Sequence, residues 1–140
     1  MPYNILIVDD SKSMRSVIKK VLSASGFQVG ECLEAANGQE ALNVLEEHWI
    51  DLILSDIHMP VMDGFGLLRA LREHDDWRDL PVVLITTESN QERIQEAMSL
   101  GARGYVRKPF RPEVIRAYLR QIMGETDDSS VAASDEECDF

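Results

Sequence analysis

Two kinds of apolar pattern alternate along the chain. Ile5-Leu6-Ile7-Val8 is short and wholly apolar, as a strand buried on both faces of a sheet must be. Leu52-Ile53-Leu54 and Val82-Val83-Leu84-Ile85 have the same character. Between these runs the apolar spacing becomes helical. Met14, Val17, Ile18, Val21 and Leu22 recur every three or four residues and predict one buried helix face, with Gly26 as the stop. Asn37 followed by Glu40 predicts a helix start ahead of Ala41, Leu42 and Leu45. Asp63 caps a helix carrying Leu67, Leu68 and Leu71. Ser89 through Glu92 reads as a capping box before Ile94, Ala97 and Met98, ended by Gly101. Pro112 suits the first turn of a last helix bearing Val114, Ile115, Tyr118, Leu119 and Ile122.

Two further segments, 28–34 and 103–107, read as strands that include charged residues, which suits the edges of a sheet. Five strands alternating with five helices predict an α/β protein, a parallel sheet with helices on both faces. Placing the three greasiest strands centrally and the two polar ones outside gives the doubly wound order 2-1-3-4-5.

Charge divides the chain more sharply than its total of −11 suggests. Residues 1–102 are acidic. Residues 103–120 carry six cations (Arg103, Arg107, Lys108, Arg111, Arg116, Arg120) against Glu113 alone. Residues 121–140 hold seven acids and no cation. The overall balance argues against binding nucleic acid or an anionic membrane surface. No apolar run approaches the ~18 residues needed to span a bilayer. Met1-Pro2-Tyr3-Asn4 does not resemble a secretory signal, and Cys32 and Cys138 have no zinc or disulfide-framework spacing. A cytoplasmic protein with reduced thiols is expected. The expected organisation is a domain over 1–123 and an acidic tail or linker over 124–140, too polar to offset its ordering entropy.

Candidate chemistry lies where the strands end. In an open parallel sheet ligands bind beyond the carboxyl ends of the strands. Strand 1 runs into Asp9-Asp10, strand 3 into Asp56, strand 4 into Thr86-Thr87 and strand 5 into Lys108-Pro109. Two carboxylates ~4 Å apart repel by about 4 kcal/mol at a surface-type dielectric, so three converging ones call for a cation. An all-oxygen, shallow site suits Mg2+. An aspartate beside such an ion, a lysine and a hydroxyl makes a plausible phosphoryl acceptor.

Four segments then carry a resemblance: Val8-Asp-Asp-Ser-Lys-Ser-Met-Arg15, Ser55-Asp-Ile-His-Met-Pro-Val-Met-Asp-Gly64, Thr86-Thr-Glu88 and Gly104-Tyr-Val-Arg-Lys-Pro-Phe110. Together they closely resemble the receiver domains of two-component response regulators, most nearly the single-domain chemotaxis type, over residues 3–123. The resemblance implies a flavodoxin-like (βα)5 three-layer sandwich. It implies Asp56 as the phosphorylation site, with Mg2+ held by Asp10, Asp56 and the backbone carbonyl of His58, and by Asp9 largely through water. It implies Lys108 as the partner of the acceptor and phosphoryl group, a cis Lys108–Pro109 bond, and Thr86 and Tyr105 as the moving pair of a switch. His58 and Glu88 fall at rim positions that tune acyl-phosphate lifetime. The implied partners are a sensor histidine kinase or phosphotransfer protein, and an output partner at the face of the fourth helix, fifth strand and fifth helix.

Plainer roles stand beside these. Asp9 and Asp10 are also suited to capping the first helix, and Asp63-Gly64 to a turn and cap. Thr87 adjoins Thr86, Tyr105 suits edge packing, and the His58 side chain suits solvent, as do His48 and His74 on helices. A receiver cut from a multidomain regulator fits the same residues. A Mg2+-dependent phosphatase with an aspartyl nucleophile fits less well, because the position two residues after Asp56 holds His58 rather than an acid.

Overall fold

A computed structural model describes residues 3–26, 28–108 and 110–122. The fully apolar runs become the three inner strands, β1 (Tyr3–Val8), β3 (Leu52–Ser55) and β4 (Val82–Thr86). The more polar segments become β2 (Val29–Ala35) and β5 (Gly104–Arg107) at the edges. All pairings are parallel and the order is β2-β1-β3-β4-β5, as expected from hydropathy.

The side-chain alternation of each strand feeds two separate cores. Leu6, Val8, Ile53, Val82 and Leu84 face α2 (Gly38–Glu47), α3 (Gly64–Glu73) and α4 (Gln91–Ser99). Ile5, Ile7, Leu52, Leu54, Val83 and Ile85 face α1 (Lys12–Ser25) and α5 (Pro112–Ile122). Burying both faces is why these strands are apolar from Ile5, Leu52 and Val82 up to their last positions.

Several expected details shift. The α1 cap is neither Asp9 nor Asp10 but Ser11, whose side chain accepts from the Met14 amide. Val17 lies outside the stripe of Ile18, Leu22 and Ser25 and is exposed. Helix α4 is capped by Asn90 rather than Ser89. The Glu88 carboxylate accepts the Asn90 amide, and Asn90 Oδ1 then accepts from the Glu92 amide, which moves the start one residue on; Met98, expected on the apolar face, is exposed. His48 and His74 are exposed, as expected, but they are C-cap residues, of α2 and α3. Asn37, Asp63 and Pro112 begin their helices as expected. The Lys108–Pro109 peptide, Cys138 and the segment 124–140 lie outside the described residues. Among the described residues no helix is long and apolar enough to cross a membrane.

Candidate functional site

The register of the sheet brings the candidate residues together. Val8 pairs with Ser55, so the residues that follow, Asp9 and Asp56, leave adjacent strands side by side. The Asp56 amide donates to the Val8 carbonyl at 2.9 Å, extending the ladder one step past β3. Thr86 pairs with Arg107 across β4 and β5, and the Lys108 amide donates to the Thr86 carbonyl at 2.9 Å. Lys108 therefore leaves the sheet at the same level as the aspartates.

Its ammonium crosses to both of them. Lys108 Nζ lies 3.1 Å from Asp9 Oδ2 and 3.4 Å from Asp56 Oδ2. Asp9 is buried, and its other oxygen accepts from the Ser11 amide at 2.9 Å. Asp56 Oδ1 accepts from the Ile57 amide at 2.7 Å. Asp10 is exposed and has no partner among the described residues.

Asp9, Asp10 and Asp56 each present an oxygen, all within 4.8 Å of one another. Three carboxylates and one ammonium leave two negative charges uncompensated, the charge of one divalent cation. The donor set contains no sulfur or imidazole, so a hard ion fits it.

The loop after β3 is built to hold Asp56 in place. A Cβ on Gly64 would come within 2.7 Å of the Asp56 carbonyl oxygen and 2.9 Å of Ile57 Cα, both backbone atoms, so only glycine allows this approach. The Gly64 amide donates to the Ile57 carbonyl at 2.8 Å, and Asp63 Oδ1 caps α3 through the Gly66 amide. Val61, 84% exposed, has φ 69° at the centre of a three-residue turn closed by Met62 N to Pro60 O at 2.7 Å. A β-branched residue there is strained.

Thr86 is fully buried and its Oγ1 accepts from the Glu88 amide at 3.1 Å, while Thr87 is exposed. Tyr105 is opposite Leu84, two residues before Thr86 on the same face of β4, and its half-buried ring packs against that core. Its amide donates to Tyr118 Oη at 3.1 Å, under a ring that lies over Gly104.

Two features were not anticipated. His58, 56% exposed, pairs its Nε2 with Glu88 Oε1 at 2.8 Å, bridging the loops after β3 and β4. The Glu88 carboxyl is held below its ordinary range, first by the Asn90 amide and then by His58. His58 stands three positions beyond the end of β3 and Glu88 two beyond the end of β4, so the contact has no signal in the spacing of either loop alone. Arg15 donates to the Asp9 carbonyl at 2.6 Å and to Glu34 at 2.8 Å, tying α1 to β2 beneath the site.

The sequence model of the response regulator receiver domain matches residues 5–120. Chemotaxis protein CheY of Pseudomonas aeruginosa is 40% identical over 118 residues, covering 84% of this chain and 94% of that protein. Chemotaxis protein CheY1 of Helicobacter pylori is 34% identical over 124 residues, covering 88% and 98%. Among solved structures, the chemotaxis response regulator CheY4 of Vibrio cholerae superposes with a TM-score of 0.73 at 35% identity, covering 90% of this chain and all of that one. The receiver domain of a Pseudomonas aeruginosa sensor histidine kinase, with a magnesium ion coordinated in its active-site cleft, gives 0.77 at 27% identity, covering 89% and 99%.

Proposed function

This chain belongs to the response regulator receiver family of two-component signalling, and from that premise we propose that Asp56 is its phosphoacceptor. The observation that carries the assignment is the single ammonium of Lys108 set between Asp9 and Asp56 at the carboxyl end of the sheet. A carboxylate oxygen of Asp56 attacks the phosphorus of a phosphohistidine or a small acyl phosphate. The P–N or P–O bond breaks, and the leaving imidazole or carboxylate departs with the bonding pair. Lys108 neutralises the phosphoryl oxygens as they leave the donor, an electrostatic contribution that acts on developing charge.

Asp9, Asp10 and Asp56, with the His58 backbone carbonyl, are the residues that would hold Mg2+. Bound there, the ion offsets the charge of the acceptor and the incoming phosphoryl group. Thr86 and Tyr105 then form the switch: the hydroxyl turns to the phosphoryl oxygen and the tyrosine ring follows inward. The partners are a histidine kinase or phosphotransfer protein as donor, and an output protein at the α4-β5-α5 face. On that face β5 and α5 carry Arg107, Arg116 and Arg120 against Glu113, whereas α4 carries Glu92 and Glu96 against Arg93, so an acidic patch on the partner is expected to meet α5.

His58 in place of an acid two residues after Asp56, with its ring engaged by Glu88, supports a phosphoacceptor rather than a phosphatase with its own general acid. The test is incubation with acetyl phosphate and Mg2+ followed by peptide mass spectrometry. One phosphate per chain on Asp56 is expected. Failure to label it, under conditions that label a known receiver, overturns the assignment.

A further inference from the structure

The opposite end of the sheet carries a second cleft. It is formed where the chain enters β3 and β4, so at least the length of β3, four residues or ~13 Å, separates it from Asp56. The cleft is open to solvent on one side and has a volume of about 680 Å³, within the ~300–1,000 Å³ of pockets that take a drug-sized ligand. Its apolar lining is Leu45, Ile50, Leu80 and Pro81.

Both tryptophans of the chain belong to it. Trp49 is 79% exposed, yet it is oriented: its Nε1 donates to Asp51 Oδ1 at 2.9 Å, and Asp51 Oδ2 accepts from the Asn4 amide at 2.8 Å. Trp77 is partly buried against the core and stacks on His74, with ring centroids 3.9 Å apart. An indole held out in solvent by its polar end offers contact area with little entropy left to lose on binding.

The charge around these rings selects the occupant. Asp51, Asp75, Asp76 and Asp79 line the cleft, with no lysine or arginine among the lining residues. Asp75 is engaged by Arg78 at 2.6 Å, while the carboxylates of Asp76 and Asp79 have no partner among the described residues. Aromatic faces, an apolar lining and open carboxylates together match the guanidinium group. It stacks on indole, forks onto carboxylates, and lays its methylene stem along apolar surface. The volume exceeds one such side chain.

We propose that this cleft docks a short arginine-bearing, amphipathic segment of a protein partner, at a site separate from the Asp56 end and independent of its role.

The full chain is titrated with a fluorescein-labelled peptide of alternating arginine and leucine, and with the same peptide carrying glutamate for arginine. Tryptophan emission and the two indole N–H resonances are followed. The arginine peptide should move both indole resonances and the glutamate peptide neither. Trp49→Ala, and separately Asp76→Asn with Asp79→Asn, should each weaken binding about five-fold or more. Glu31→Gln with Glu92→Gln, which removes the same charge elsewhere, should change it no more than about two-fold. All these positions are exposed, and the aspartate pair carries the test by itself if Trp49→Ala fails to fold. Equal loss in the two double variants would show general attraction to an acidic chain. Unmoved indole resonances would put the peptide elsewhere. Binding of spermidine as tight as the peptide would make this a small-cation site. Sedimentation showing a dimer that Trp49→Ala abolishes would make the occupant a second copy. Each of these four results overturns the proposal.

Discussion

Thr86 Oγ1 accepts the backbone N–H of Glu88 at 3.1 Å, and the same Glu88 holds His58 across the site by its side chain. The hydroxyl of the proposed switch accepts that bond through one lone pair and keeps its proton to donate. Thr86→Val preserves the shape of this buried position while removing that proton. Labelling of Asp56 should persist in this variant, while the phosphorylation-dependent change in Tyr105 environment, read by tyrosine fluorescence or NMR, should be lost. A full-sized response in Thr86→Val would remove Thr86 from the switch.

The uncompensated charge of Asp9, Asp10 and Asp56 predicts stabilisation by a divalent cation. A ten-fold excess of Mg2+ over its dissociation constant adds about 1.4 kcal/mol, visible as a rise in Tm. Asp56→Asn should raise the Mg2+-free Tm by easing like-charge repulsion, and should blunt the response to Mg2+. Thermal melts with and without the ion check both.

Gly64→Ala should destabilise by about 1–3 kcal/mol, since its Cβ meets backbone that cannot rotate away. Acceptor labelling should fall with it, because the atoms displaced belong to Asp56 and Ile57. Urea denaturation and the labelling rate measure the two effects.

Val61→Gly should act in the opposite sense. Releasing a β-branched residue from φ 69° recovers about 1–3 kcal/mol, and the added glycine entropy costs about 0.5–1 kcal/mol of it. A midpoint in urea at or below that of the parent would refute the strain.

Glu34 predicts an acid dependence. Its carboxyl is held below the ordinary range, first by the hydrogen bond from Arg15 and then by Lys19 at 3.1 Å. A depressed folded-state value means the unfolded chain binds the proton more readily. The stabilisation is thus fully present above about pH 4.3 and is lost as pH falls through the lower folded-state value. The stability gap between the parent and Glu34→Gln should be open at pH 6 and close on acidification towards pH 3.

Much of the architecture is legible in the amino-acid order because the stretches of strand buried on both faces are apolar up to the last position of the sheet. Ile5–Val8 and Val82–Ile85 therefore announce both their position in the middle of the sheet and the place where chemistry starts. The convergence of Asp9, Asp56, Thr86 and Lys108 follows from strand order, which hydropathy predicts. Cap positions are less legible: Ser89 and Asn90 compete for one helix start, and the Glu88 carboxylate, by accepting the Asn90 amide, selects the second.

Local composition thus dictates the elements, their order and the residues at their ends, since propensity and burial act within a few residues. Side-chain partnerships across loops were decided only by the folded chain. That Lys108 spans both aspartates, that His58 meets Glu88, and that two tryptophans 28 positions apart line one acidic cleft all depend on where separate loops come to rest. Those positions are fixed by packing against a sheet whose contacts join residues distant in sequence, and no local pattern encodes them.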